Sequence, residues 1–290
     1  MQKAYIKYIL ALLLFGSNGI VASWIDLPST QIVLLRTFIG SLLLLMLFKL
    51  SQAQLTFWQN RRHLSFLILS GMAMGASWMF LYEAYQLIGV SLATLAYYCG
   101  PMIVMVLSPL LFRENLTLSK LMGFAVVLAG FFLINHQAYQ DGKSALGLFY
   151  GGLSAVLYAV MVILNKKAKS IQGLENAMLQ LLVSFLTVAV YVGLRQGYII
   201  HIPGGSWLPI LILGLVNTGM GCYLYFSSIG HLPVQTVAVS GYLDPLAAVL
   251  LSVALLGEVL QPVQILGAFL ILAGAFVGEG LWCRREARGA

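Results

Sequence analysis

The sequence predicts an all-α membrane protein of ten transmembrane helices, folded as two inverted five-helix repeats. Three observations predict it. The first is composition: 60% of the 290 residues are hydrophobic, 9% are charged and the mean hydropathy is +0.93, whereas a soluble domain carries about 25% charged residues. The second is blockwise order. Apolar runs cover about 5–24, 29–48, 64–87, 90–112, 119–135, 145–165, 176–194, 207–228, 234–256 and 263–282, each near the ~20 residues that cross a hydrocarbon core. The third is self-similarity: residues 90–132 align without a gap on 234–276, with Pro101 on Pro245 (245 − 101 = 144) and Gly123 on Gly267 (267 − 123 = 144). A duplicated block of five spans, an odd number, must insert its second copy upside down.

The chain divides into 1–135 as the first repeat, 136–144 as a polar connector (HQAYQDGKS) and 145–290 as the second. Charge orients it. With the N-terminus inside, thirteen Lys and Arg fall on the inner side and only Lys143 and Arg195 on the outer, while Arg36 lies within a span. This positive-inside bias puts both termini in the cytoplasm. It also accounts for the net charge of +7 without a nucleic-acid partner. Cys99, Cys222 and Cys283 form no disulfide framework, and His63, His136, His201 and His231 lie in or beside loops without metal spacing. No P-loop or nucleophile motif occurs. The sequence therefore predicts no enzyme, no cofactor and no metal site.

Taken in order, the spans carry few polar groups, and each has a structural reading beside a functional one. The first holds Ser17 and Asn18, the eighth Asn217 and Thr218; such amides bind substrate or join helices by hydrogen bonds. In the second, Arg36 sits at a depth similar to Glu83 of the third, which predicts a salt bridge or an outer gate. Its repeat position is Gln180 in the seventh span (180 − 36 = 144), which suggests an architectural role for both. The third span shows Gly71, Gly75, Trp78, Tyr82 and Tyr85 on one helical face. With Tyr97 and Tyr98 in the fourth, Tyr158 in the sixth and Tyr225 in the eighth, these offer ring faces and hydroxyls well inside the membrane. Pro101 and Pro245 each remove a hydrogen bond to the carbonyl four residues back, on Tyr97 and Gly241, and are candidate hinges. Glu114 and Glu258 read as helix caps. In the ninth span Asp244 follows Thr236 and Ser240 on one stripe. A carboxylate at that depth is costly, which makes Asp244 a candidate counter-charge for an ammonium or a proton carrier; the structural alternative is support of the kink at Pro245.

The two copies read YCGPMIVMVLSPLLFRENLTLSKLMGFAVVLAG and GYLDPLAAVLLSVALLGEVLQPVQILGAFLILAG. Each has a Pro-bearing helix, a Glu in a short loop and a helix with Gly-x6-Gly. The pattern resembles the paired EamA modules of the drug/metabolite transporter superfamily, in its ten-helix bacterial form, over nearly the whole chain. The resemblance implies a central cavity lined by both halves and a place in the bacterial inner membrane. The expected function is secondary transport by alternating access, exporting amino acids or related small metabolites. Asn18, Trp78, Tyr82, Tyr98, Tyr158, Asn217, Tyr225 and Asp244 are the candidate substrate-binding residues. The alternative is transport of a small organic cation, drug or choline-like solute; an intramembrane lipid-processing enzyme is a third reading. The expected partners are a small-molecule substrate, protons and the lipid bilayer, with the chain acting as a monomer.

Overall fold

The computed structural model describes residues 2–88, 93, 96–113, 117–134, 145–256 and 262–278. Glu114, Glu258, His136, Cys283 and the connector 136–144 lie outside the described residues. Every regular element among the described residues is helical, and each expected span holds one. These are α1 (Gln2–Ser23), α2 (Ser29–Leu50), α3 (Arg61–Ile88), α4 (Cys99–Phe112), α5 (Leu118–Ile134), α6 (Ala145–Lys167), α7 (Gly173–Arg195), α8 (Gly204–Ile229), α9 in two pieces (Val234–Ser240 and Leu243–Leu256) and α10 (Pro262–Gly278). Six of them (α1, α2, α3, α6, α7 and α8) are long and apolar enough to cross a membrane. The chain is a multi-pass, all-α membrane protein.

The inversion is visible where a helix meets its own repeat mate. On α5 a Cβ added to Gly130 would lie 2.5 Å from Gly267 O of α10, and one on Gly274 would lie 2.6 Å from Gly123 O. Gly274 is the mate of Gly130 (274 − 130 = 144) and Gly267 that of Gly123. The equivalent helices therefore run antiparallel, which a two-fold relation allows only if its axis crosses the helices rather than following them. The same symmetry recurs at Gly75, whose added Cβ would stand 2.8 Å from Ser184 O, and at its mate Gly219, 3.4 Å from Gly40 Cα. At these sites the absent side chain lets backbones meet, the usual device of helix contact in lipid.

Two features depart from the expected picture of kinked helices. Pro101 and Pro245 are each the third residue of a helix that begins afresh, Cys99–Phe112 and Leu243–Leu256. There the missing N–H would have had no helical partner anyway. The Gly241 carbonyl is not left open either, because Asp244 N–H donates to it at 3.2 Å. The breaks are joined to each other: Tyr242 OH donates to Tyr98 O at 2.8 Å, and these two tyrosines occupy the same repeat position.

Symmetry fails between α1 and α8. The equivalent pair, α3 with α6, is closed by reciprocal bonds, Ser77 Oγ to Ser154 O at 2.9 Å and Ser154 Oγ to Ser77 O at 2.7 Å. In α1, by contrast, the helix breaks at Ser17, and Asn217 Nδ2 donates to Leu14 O and Ser17 Oγ at 2.8 and 2.6 Å. Residues Ile212–Met220 of α8 wind as a π-helix, with Thr218 Oγ1 donating to Leu213 O at 2.7 Å. A widened turn re-aims side chains; here it sends Asn217 to α1 and Thr218 to α2.

Candidate functional site

Between the halves lies a cavity of about 590 Å³. Call the end of the bundle where the chain starts the N-side and the opposite end the far side. The cavity reaches the far side through Ser23, Ile25 and Leu27, after α1, and Gln86 near the end of α3; Met74, Met161 and Phe226 bound it toward the N-side. Six helices (α1, α2, α3, α6, α8 and α9) and Tyr97–Tyr98 at the start of α4 supply its walls.

The structure brings together Asn18, Trp78, Tyr82, Tyr98, Tyr158, Tyr225 and Asp244 on this one cavity. Asp244 is held by the turn that starts the second piece of α9, and it faces the cavity together with Tyr98. The hydroxyls of Tyr158 and Tyr225 meet at 3.3 Å, and the Tyr97 ring stands edge-on to Tyr158 at 5.4 Å. Asn18 sits just past the break in α1, and its Oδ1 is buried without a hydrogen-bond partner. Asn217 does not line the cavity. Its amide N–H bonds are committed to the α1 break, so it shapes the wall that presents Asn18. Thr236 and Ser240 are buried outside the lining.

Arg36 is the residue that sequence reasoning assigned wrongly. It does not pair with Glu83: that carboxylate accepts from Tyr191 OH at 3.0 Å. Arg36, 5% exposed, lines the cavity instead, with Nε donating to Thr218 Oγ1 at 2.9 Å and the guanidinium over the Trp78 ring at 4.8 Å. A guanidinium has five N–H donors, and among the described residues only Nε has a hydrogen-bond partner. The physical reason lies in packing. Helix α2 rests chiefly on α7 and α8, which brings Arg36 to Thr218 of α8 and over Trp78 of α3, while Tyr191 of α7 takes the Glu83 carboxylate. Its repeat mate Gln180 does serve architecture, joining Asn165 and Ser70 at 3.2 and 2.9 Å. The signal was in the sequence: a lone cation in a span marks a pathway by default.

The cavity thus combines one acid, one base, an unpaired amide oxygen and several aromatic faces. Among the described residues no three His, Cys, Asp or Glu side chains cluster as metal ligands.

The profile of the EamA-like transporter family matches residues 2–136 and again 145–277. The chain belongs to this family. Its duplication coincides with the two structural repeats, and the cavity lies between them. An uncharacterized transporter of Bacillus subtilis (strain 168), YxxF, is 24% identical over 280 residues, covering 93% of this chain and 88% of its own length. A protein of Salmonella typhimurium (strain LT2) described as a probable amino-acid metabolite efflux pump is 27% identical over 210 residues, 68% of this chain and 70% of that one. A crystal structure superposes with a TM-score of 0.83 over 96% of this chain and 98% of its own, at 18% identity, and so shares the fold. This EamA-like protein is a transporter and not an enzyme.

Proposed function

We propose that the protein is a secondary transporter of the cytoplasmic membrane that exports an amino acid or a closely related zwitterionic metabolite by alternating access. The N-side is then the cytoplasm, a reading the distribution of Lys and Arg supports. One observation carries the substrate reading: Arg36 and Asp244, of opposite charge, face the same aromatic cavity. Arg36 offers its remaining N–H groups to a carboxylate. Asp244 and the unpaired Asn18 Oδ1 offer acceptors to an ammonium. The tyrosine and tryptophan rings supply an apolar wall that favours a side chain with an aromatic or aliphatic body. The Salmonella relative, a probable amino-acid metabolite efflux pump, supports the same class.

The organic-cation alternative is less well supported. The Trp78 face that would cage a permanent cation already carries the Arg36 guanidinium at 4.8 Å, and two positive charges there repel. Uptake of radiolabelled amino acids into proteoliposomes, challenged with unlabelled amino acids or quaternary amines, separates the two. Competition by quaternary amines alone would overturn the zwitterion reading.

Asp244 is also the proposed proton carrier. Asp244→Asn keeps an oxygen acceptor for the ammonium but cannot carry a proton, so it is expected to abolish accumulation driven by a pH gradient while substrate exchange persists at higher substrate concentration. Unchanged accumulation in this variant would sink the coupling role.

A further inference from the structure

We infer that a second pocket on the N-side is the closed inner mouth of the same pathway, with Phe226 as its gate and Lys166 as its latch. The inference rests on alternating access but not on the identity of the substrate. The pocket, about 340 Å³, lies among the ends of α4, α6 and α8 and the start of α7. It is separated from the central cavity by Phe226, which is 2% exposed and lines both.

The repeat shows what this pocket is. Shifted by 144, seven of its thirteen lining residues land on the lining of the central cavity near its far-side mouth. Ile171 falls on Leu27, Gly173 on Ser29 and Asn176 on Ile32 along one wall; Phe226 falls on Tyr82 (226 − 82 = 144) and Gly230 on Gln86 along the other. The helix starts agree, since α7 begins at Gly173 and α2 at Ser29. Two surfaces related by the inverted repeat are the same mouth seen from opposite sides of the membrane, one closed and one open. In an inverted repeat the other state arises when the halves exchange conformations. Tyr82, now on the wall of the open mouth, then takes the place that Phe226 holds in the closed one.

The sides differ in what holds them. At the N-side Lys166 Nζ donates to Ile229 O at 2.9 Å and also to Leu232 O, tying the end of α6 to the end of α8. Lys7 Nζ reaches Ser227 Oγ at 3.5 Å and stands over the Tyr223 ring at 5.0 Å. The far-side equivalent of Lys166 is Ala22 (166 − 22 = 144), which has no donor to offer. At the position equivalent to Lys166 the far side offers no charged side chain, in keeping with a conformation open on the far side.

The test uses site-directed cysteine labelling in vesicles and needs no substrate. Gly19 lines the central cavity, and a Cβ added there meets nothing within 4 Å. Gly19→Cys in a background with Cys99→Ser, Cys222→Ala and Cys283→Ser therefore places a reporter without crowding. A small charged methanethiosulfonate is applied to right-side-out or to inside-out vesicles. With Phe226 and Lys166 intact, the reporter should react from the outside. Phe226→Ala should raise the rate from the cytoplasmic side about tenfold while leaving the outer rate in place; Phe226→Leu, which keeps much of the bulk and guards against misfolding, should fall between. Lys166→Met removes a charge-assisted bond and should shift the two states by about tenfold, so the inner rate rises as the outer rate falls. The gate is overturned if the inner rate is unchanged in both Phe226 variants. The latch is overturned if Lys166→Met leaves both rates unchanged or raises both together, as simple loosening would. Loss of amino-acid transport alone bears on the substrate and not on this result.

Discussion

Gly130→Ala tests the seam on which the inverted architecture turns. The new methyl would sit 2.5 Å from Gly267 O, 2.8 Å from Ile271 N and 2.9 Å from Leu270 Cβ. Two of these are backbone atoms, so no side-chain rotation relieves the clash. Restoring an ordinary 3.4 Å contact requires α5 and α10 to part by about 0.9 Å (3.4 − 2.5). Overpacking of this kind costs about 1–3 kcal/mol. Gly274→Ala meets Gly123 O at 2.6 Å and Val127 N at 2.7 Å and should cost about the same. Because both act on one seam, the first alanine opens space for the second, and the double variant should lose less than the sum of the two. Gly152→Ala in α6 is the control: nothing lies within 4 Å of its added Cβ, so better helix propensity should make it neutral to stabilising by about 1 kcal/mol. The assay is thermal unfolding of purified protein in detergent, followed by monodisperse peak height. A Gly130→Ala melting temperature equal to that of Gly152→Ala would refute the antiparallel seam.

Three further outcomes follow from the site. Arg36→Gln copies the side chain at the equivalent position in the second half and removes the cation from the cavity; transport should require at least about tenfold more substrate, the loss of one charge-assisted contact, and an unchanged KM for amino acids in proteoliposomes speaks against carboxylate binding. Asn217→Ala removes two bonds of 2.8 and 2.6 Å to the α1 break and should cost about 1–3 kcal/mol, read as a lower melting temperature; unaltered stability means the break stands without it. Pro245→Ala restores an N–H in the first turn of a helix, where it has little to bond, so stability should barely move; a transport rate equal to the wild type would count against Pro245 as a hinge.

The cavity-lining positions legible in the sequence are those whose message is local. Trp78 and Tyr82 lie on one helical face by spacing alone, and Asp244 is conspicuous wherever its helix packs, because a carboxylate in a span needs a reason. The partner of Arg36 is not legible in the sequence because it depends on direction. Depth along the bilayer is legible from sequence position; the rotation of α2 about its axis, and hence whether Arg36 meets Glu83 or Trp78, is set by its packing on α7 and α8. Asn18 and Asn217 read alike in the sequence, as substrate ligands or as interhelical hydrogen bonds, since both are lone amides at mid-depth. Only the break at Ser17 decides that one holds the wall and the other faces the cavity.

What the sequence by itself determined is the membrane class, the spans, the duplication and its inversion. These depend on hydrocarbon thickness, hydrogen-bond satisfaction and parity, which act on each segment separately. Tertiary structure alone decided that Pro101 and Pro245 start helices rather than kink them, and that Arg36 joins Asp244 in one cavity. It also decided that Phe226 lies on the wall of both that cavity and the N-side pocket. Those outcomes arise from contacts between segments far apart in the chain, such as Tyr242 with Tyr98 or Lys166 with the end of α8, whose partners exist only once the helices have packed.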